Sequence, residues 1–123
     1  MIIGIGVDLI EIERIEKALN RTLFLRRIFT EKEIQYFASR GYNPSTIAGS
    51  FAAKEAMSKA LGTGIGKIGW HDMEVLRYNV GKPYMKLYGD ARSIFTSMGG
   101  KKIHISISHS RLYAISQVII EGD

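Results

Sequence analysis

The chain has 123 residues, 46% hydrophobic and 24% charged, a size and balance expected of one globular domain spanning 1–123 with a single core. Its 17 Lys and Arg against 12 Asp and Glu leave a formal charge of +5, which calls for an anionic partner such as nucleic acid, a phosphate cofactor or an acidic protein. No cysteine is present, so a disulfide framework and a thiolate zinc site are both excluded, and any catalysis uses oxygen and nitrogen groups.

The apolar opening from Met1 reaches Asp8 too soon for a signal peptide and lacks a basic leader, and no run approaches membrane-spanning length. A cytoplasmic protein is expected. Residues 2–7 predict a strand, with Ile3, Ile5 and Val7 on one face and Ile2, Gly4 and Gly6 on the other, where the glycines leave room for close approach. From Glu11, the recurrence of Ile12, Ile15, Ala18 and Leu19 predicts a helix, and Asp8 with Glu11 has the spacing of a capping box. Further helices are expected over 23–29 and 31–38, the second capped by Thr30 with Glu33.

Asn43 and Pro44 then launch a long helix through Leu61, rich in small residues and stopped by Gly62. The loop 62–69 follows a helix rather than a strand and lacks a Gly-Lys-Ser/Thr pattern, so it reads as a helix cap and connector rather than a phosphate cradle. Strands are expected over 73–78 and 84–88, a short helix over 91–98, and strands over 103–108 and 113–120 with His109, Ser110 and Arg111 turning between them. One strand, several helices and a strand-rich second half predict an α+β fold: an antiparallel sheet packed with a long central helix and shorter N-terminal helices. A core this small is naturally supplemented by packing against identical subunits.

Glu55 and Lys59 lie one turn apart on one helical face, the spacing of an ordinary surface ion pair. Their setting is different. They follow Phe51, Ala52 and Ala53 on a helix suited to burial, where a charge without a task is costly. Asp8 reads either as a helix cap or, at a strand end beside glycines, as a ligand for a hard cation; with Glu55 it would supply the one or two carboxylates magnesium takes alongside phosphate and water. His71, His104 and His109 are too dispersed for a zinc triad. His104 is expected on the sheet or in solvent, whereas His109 is either a turn residue or a donor to phosphate.

The motifs Gly4-Ile5-Gly6-Val7-Asp8, Phe51-Ala52-Ala53-Lys54-Glu55-Ala56 with Ser58-Lys59-Ala60, Gly62-Thr63-Gly64-Ile65-Gly66, Gly81-Lys82-Pro83, and Ile105-Ser106-Ile107-Ser108-His109-Ser110 occur in order over nearly the whole chain. Together they closely resemble the holo-[acyl-carrier-protein] synthases, the small bacterial 4′-phosphopantetheinyl transferases. The resemblance implies transfer of 4′-phosphopantetheine from coenzyme A to a serine of apo-acyl carrier protein, releasing adenosine 3′,5′-bisphosphate. It implies magnesium held by Asp8 and Glu55, with Lys59 on the pyrophosphate and Glu55 helping to remove the serine proton directly or through water. It further implies coenzyme A contacts from Gly62, Pro83 and His109, the last from a neighbouring subunit of a homotrimer with interfacial sites.

Where many family members carry arginine before Phe51 this chain has Ser50, leaving Arg40, Lys54 and Lys82 as candidates for a coenzyme A phosphate. An acidic carrier protein needs a basic, apolar docking surface, and Arg14, Arg21, Phe24 and Arg27 provide one, with Arg14 and Arg27 best matching the family's docking helices. Two other classes share the charge. Against a small RNA-binding protein, this chain lacks an aromatic RNP-like motif and its Glu55 would face the wrong partner, so neither nucleic acid nor membrane is the expected partner. A non-catalytic coenzyme A-binding subunit would bind ligand without transferring a group.

Overall fold

In the computed structural model, which describes Met1–Asp123, the opening strand β1 (Ile2–Glu11) runs past Asp8. The capping reading of Asp8 with Glu11 is thereby overturned, because β1 stays paired with the last strand β5 (Tyr113–Gly122) as far as Glu11 opposite Tyr113. Helix α1 (Ile12–Ala18) starts directly from the strand, and Glu11 at its N-cap makes no side-chain bond. The Ile12 amide donates to the Leu112 carbonyl at 2.9 Å, so sheet extension satisfies one of the helix's first donors, which have no partner within the helix.

Helices α2 (Phe24–Ile28), α3 (Glu31–Ser39) and α4 (Pro44–Ala60) follow. The Thr30–Glu33 capping box forms, and the Asn43 side chain accepts from the Ser45 amide at 2.8 Å, so both start signals act as expected. A 3-10 turn over Trp70–Asp72 leads into the antiparallel pair β2 (Met73–Arg77) and β3 (Pro83–Leu87). Helix α5 (Gly89–Ser97) and β4 (Gly100–His109) complete the order, with His109 ending the strand rather than lying in the turn. The larger sheet has the order β1-β5-β4, antiparallel throughout. The α+β architecture around a long central helix is as expected, and no helix is long and apolar enough to cross a membrane.

Helix α4 is the shared wall of two apolar clusters. Its first half packs through Ile47, Ala48 and Ala52 on α1–α3; its second half packs through Ala53, Ala56, Met57 and Ala60 on β2, β3, α5 and β5. Buried nearly all round, it carries small residues instead of a single apolar stripe. Register places Gly4, Gly6, Asp8 and Ile10 of β1 beside Ile120, Val118, Ser116 and Ala114 of β5 on the face toward α4. The glycine face is therefore approached by the chain's own helix. A Cβ on Gly4 would stand 2.5 Å from the Ala60 carbonyl oxygen, and one on Gly6 would overlap that of Ala56.

The opposite face is bare: Ile5, Val7, Leu9, Tyr113 and Ile115 are all exposed in the single chain. Because β1 and α4 touch backbone to backbone, Gly6→Ala is expected to cost about 3 kcal/mol and to lower the melting temperature by roughly 10 °C. Thermal unfolding followed by circular dichroism measures this, and an unchanged melting temperature would refute the close contact.

Candidate active site

The strand–helix crossing decides which charges meet. Asp8 lies one alternation beyond Gly6 on the same face, and Lys59 on α4 reaches back to it. The Lys59 ammonium donates to the Val7 carbonyl at 2.9 Å and to Asp8 Oδ1 at 3.3 Å. Asp8's side chain is 17% exposed and that of Lys59 51%, so the pair sits at the mouth of the crossing with the carboxylate the deeper partner. A cleft lined by Ile5, Gly6, Val7, Lys59 and Gln117 opens beside the ammonium.

Glu55, one turn earlier on α4, is half-buried. Burial pushes its carboxyl above the ordinary value and the Asp8 charge adds to that, while Lys59 and then Arg14 pull it down. Asp8 and Lys59 are thus in contact, and their charges, with that of Arg14, all act on Glu55. Glu55 and Lys59 are no isolated surface pair, since the only side chain bonded by the ammonium is Asp8. Across the ladder from Asp8 sits Ser116, 1% exposed, whose hydroxyl is the one buried side-chain polar atom with no hydrogen-bond partner. Neither Ser116 nor the effect of Arg14 on Glu55 is visible in local sequence, because both depend on register and helix packing.

Lys54, beside Glu55 in the same motif, has another role. Fully buried, its ammonium donates to Glu33 Oε1 at 2.6 Å, to the Ile28 carbonyl at 2.7 Å and to the Trp70 carbonyl at 3.1 Å, and lies 4.9 Å over the Phe29 ring. All three of its donors are engaged. That overturns Lys54 as a candidate for a coenzyme A phosphate. Glu33 is equally enclosed, accepting from the Thr30 and Val75 amides as well. Burial pushes the Glu33 carboxyl up and the Lys54 ammonium down, while their attraction for one another opposes both shifts.

The remaining candidates lie apart. Gly62 has φ +81° and caps α4, its amide donating to the Lys59 carbonyl at 3.0 Å. Pro83 begins β3, and the His109 ring is hydrogen-bonded only to the Ser110 carbonyl, at 3.4 Å; within one chain no hydrogen bond joins either to the carboxylates or Lys59. Arg40 is exposed and rests 5.4 Å over the Tyr36 ring, with Arg77 5.2 Å from the same ring, and Lys82 is exposed in the β2–β3 turn. Ser50 is 2% exposed. His104 projects from the bare sheet face to Glu121 Oε1 at 2.9 Å, and His71 accepts from or donates to no acidic group, lying 2.7 Å from the Arg26 carbonyl.

On the α1–α2 side, Arg14, Arg21 and Arg27 are exposed and Phe24 is half-buried. Arg21 and Arg26 flank a shallow depression floored by Leu19, Leu23, Phe24 and Leu25. Leu23 is 54% exposed with φ 71°, a left-handed conformation that is uncommon for leucine.

An α+β protein that brings two carboxylates and an ammonium together where a strand crosses a buried helix has the donor set of the class that binds phosphate esters with a hard cation. A family model of the 4′-phosphopantetheinyl transferase superfamily matches residues 4–117. The holo-[acyl-carrier-protein] synthase of Clostridium novyi is 50% identical over 124 residues, covering 100% of this chain and 90% of the relative. That of Alkaliphilus metalliredigens is 52% identical over 120 residues, covering 97% and 98%. A crystal structure of the Bacillus anthracis synthase in complex with coenzyme A (3′,5′-ADP) superposes with a TM-score of 0.82 at 41% identity, covering 100% of this chain and 99% of that one. The Helicobacter pylori synthase in complex with coenzyme A gives 0.84 at 33% identity, covering 95% and 99%. The chain belongs to the holo-[acyl-carrier-protein] synthase family of the 4′-phosphopantetheinyl transferase superfamily.

With Lys54 a structural residue, Lys54→Met is expected to cost about 3–5 kcal/mol by leaving the Glu33 carboxylate buried without its cation. Glu33→Gln combined with Lys54→Met should lose less than the sum of the two single changes. A double-mutant cycle by urea denaturation reads the coupling, and strict additivity would show that the two side chains do not depend on one another.

Proposed function

We propose that this chain transfers the 4′-phosphopantetheinyl group of coenzyme A to a serine hydroxyl of an apo-acyl carrier protein in the cytoplasm, leaving adenosine 3′,5′-bisphosphate, and that residues 1–123 act as one catalytic domain. The observation that carries the reading is the meeting of Asp8, Glu55 and Lys59 at the β1–α4 crossing, in a chain whose relatives are synthases of this kind.

Asp8 and Glu55 would hold magnesium. Carboxylate oxygens are its preferred donors, and the unpaired Ser116 hydroxyl across from Asp8 leaves a further polar atom at that spot. When bound, the ion supplies positive charge against the pyrophosphate. Lys59 adds an ammonium beside the same phosphates and, half-exposed on a long stem, can follow charge as it develops on the leaving group. The serine oxygen forms a bond to the phosphorus carrying pantetheine as the bond from that phosphorus to the adenosine bisphosphate oxygen breaks. Glu55, whose proton affinity is raised by burial and Asp8, is suited to take the serine proton directly or through water.

Gly62 and Pro83 are read as backbone-side contacts for coenzyme A, and His109 as a contact given to a neighbouring subunit. Arg14, Arg21, Phe24 and Arg27 would form a docking surface for the acidic carrier, a reading supported by the exposed arginines and by the Arg14 charge acting on Glu55. The bare face of Ile5, Val7, Leu9, Tyr113 and Ile115 supports a homotrimer in which identical subunits cover it.

Incubation with coenzyme A, magnesium and an apo-carrier is expected to add one phosphopantetheine mass to the carrier by mass spectrometry. Asp8→Asn and Glu55→Gln should each lower the rate by roughly a hundredfold or more. An unmodified carrier, tried with several carriers and folded enzyme, would sink the reading. Sedimentation should give a trimer, and Val7→Asp with Ile115→Asp should dissociate it and remove activity; a monomeric wild type with full activity would exclude interfacial sites.

A further inference from the structure

Two demands on Asp8 conflict. Its Oδ1 accepts from the Lys59 ammonium at 3.3 Å, and that ammonium is anchored a second time on the Val7 carbonyl at 2.9 Å. If Asp8 is to hold a divalent cation, the ammonium stands where competing positive charge is least welcome. The contact that neutralises Asp8 in the free chain therefore has to be given up, at least in part, when a cation enters.

The exposure of the two side chains says which one moves. Asp8 is fixed on a paired strand and is 17% exposed, whereas Lys59 is 51% exposed on a flexible four-carbon stem at the mouth of the cleft. A pyrophosphate arriving in that cleft offers the ammonium a stronger acceptor than a peptide carbonyl and one carboxylate oxygen. Lys59 would turn outward to it, freeing Asp8 at the moment when the cation's other ligands arrive.

We propose that Lys59 is a built-in counter-ion of Asp8 that competes with the divalent cation until the coenzyme A pyrophosphate draws it away, so that part of the cooperativity between coenzyme A and the cation is carried by this one side chain. The inference rests on the magnesium and coenzyme A reading of the preceding subsection. By linkage the coupling is reciprocal: whatever coenzyme A adds to cation affinity by removing Lys59, the cation adds to coenzyme A affinity. Lys59 thus has a role before chemistry that is distinct from charge stabilisation during it.

Manganese titration of the full-length protein, with free Mn2+ followed by electron paramagnetic resonance, tests this with and without coenzyme A. Without coenzyme A, Lys59→Met is expected to bind Mn2+ roughly fivefold or more tightly than wild type. With coenzyme A present the gain should shrink or vanish, because in wild type Lys59 has already left Asp8. Lys59→Gln should behave in the same way, which guards against a folding defect peculiar to one variant. Equal gains with and without coenzyme A would overturn the exchange, since a lysine acting only through its field tightens both alike. Unchanged or weaker Mn2+ binding by both variants without coenzyme A would overturn it too. A wild type that binds no Mn2+ under either condition would remove the metal reading itself, and the inference with it.

Discussion

Everything at the site hangs on the backbone contact between β1 and α4. Gly4 and Gly6 let the strand lie directly against the carbonyls of Ala60 and Ala56, closer than any side chain would permit. That closeness fixes which turn of the helix faces which residue of the strand. Asp8, the next residue along the same face of the strand, then falls within reach of the helix turn that bears Glu55 and Lys59. The glycines act here through the backbone. They set the separation at which the charges work.

The same helix carries two lysines with opposite fates. Lys54 and Lys59 are five residues apart, which turns them by about 140° around the axis. One points into the cluster of Glu33, Phe29 and Trp70, where every donor is used; the other emerges beside Asp8. Glu33 ties this arrangement to α3, since it closes the capping box with Thr30 while neutralising Lys54 and accepting from Val75. A buried ion pair of this kind is costly to break from one side only, so it holds α4 at a defined rotation against α3 and β2. The orientation of Glu55 and Lys59 inherits that definition.

Much of this was legible in the sequence where the signal was local. The Thr30 and Asn43 caps, the long small-residue helix, and the alternation of Ile103, Ile105 and Ile107 appear as expected because each depends on neighbours a few residues away. Asp8 as a cap failed for the complementary reason: Asp8 and Glu11 have cap spacing, but the pairing that keeps them extended comes from Tyr113 and Ser116, far along the chain. Lys54 was misjudged because its partner Glu33 lies on another helix. Spacing alone pairs only Glu55 with Lys59; Asp8 joins Glu55 through the oxygen donors magnesium prefers, and the resemblance among ordered motifs brings all three together. Pro83 and His109 do not join that group inside one chain.

The position of Asp8 has a further consequence for the making of the protein. Between Ile2 and Ile10 it is the one charged residue in a strand otherwise composed of isoleucine, valine, leucine and glycine. Ile5 pairs with Ile119, so β1 must wait for β5 to be synthesised before its hydrogen bonds can close. Throughout that interval it is an unpaired apolar edge, the kind of segment on which chains associate wrongly. Asp8 interrupts that apolar run with a charge, the kind of residue that discourages such association. Neutralising it to probe the metal site also removes that protection, and a low yield of such a variant would report on solubility during folding rather than on the site.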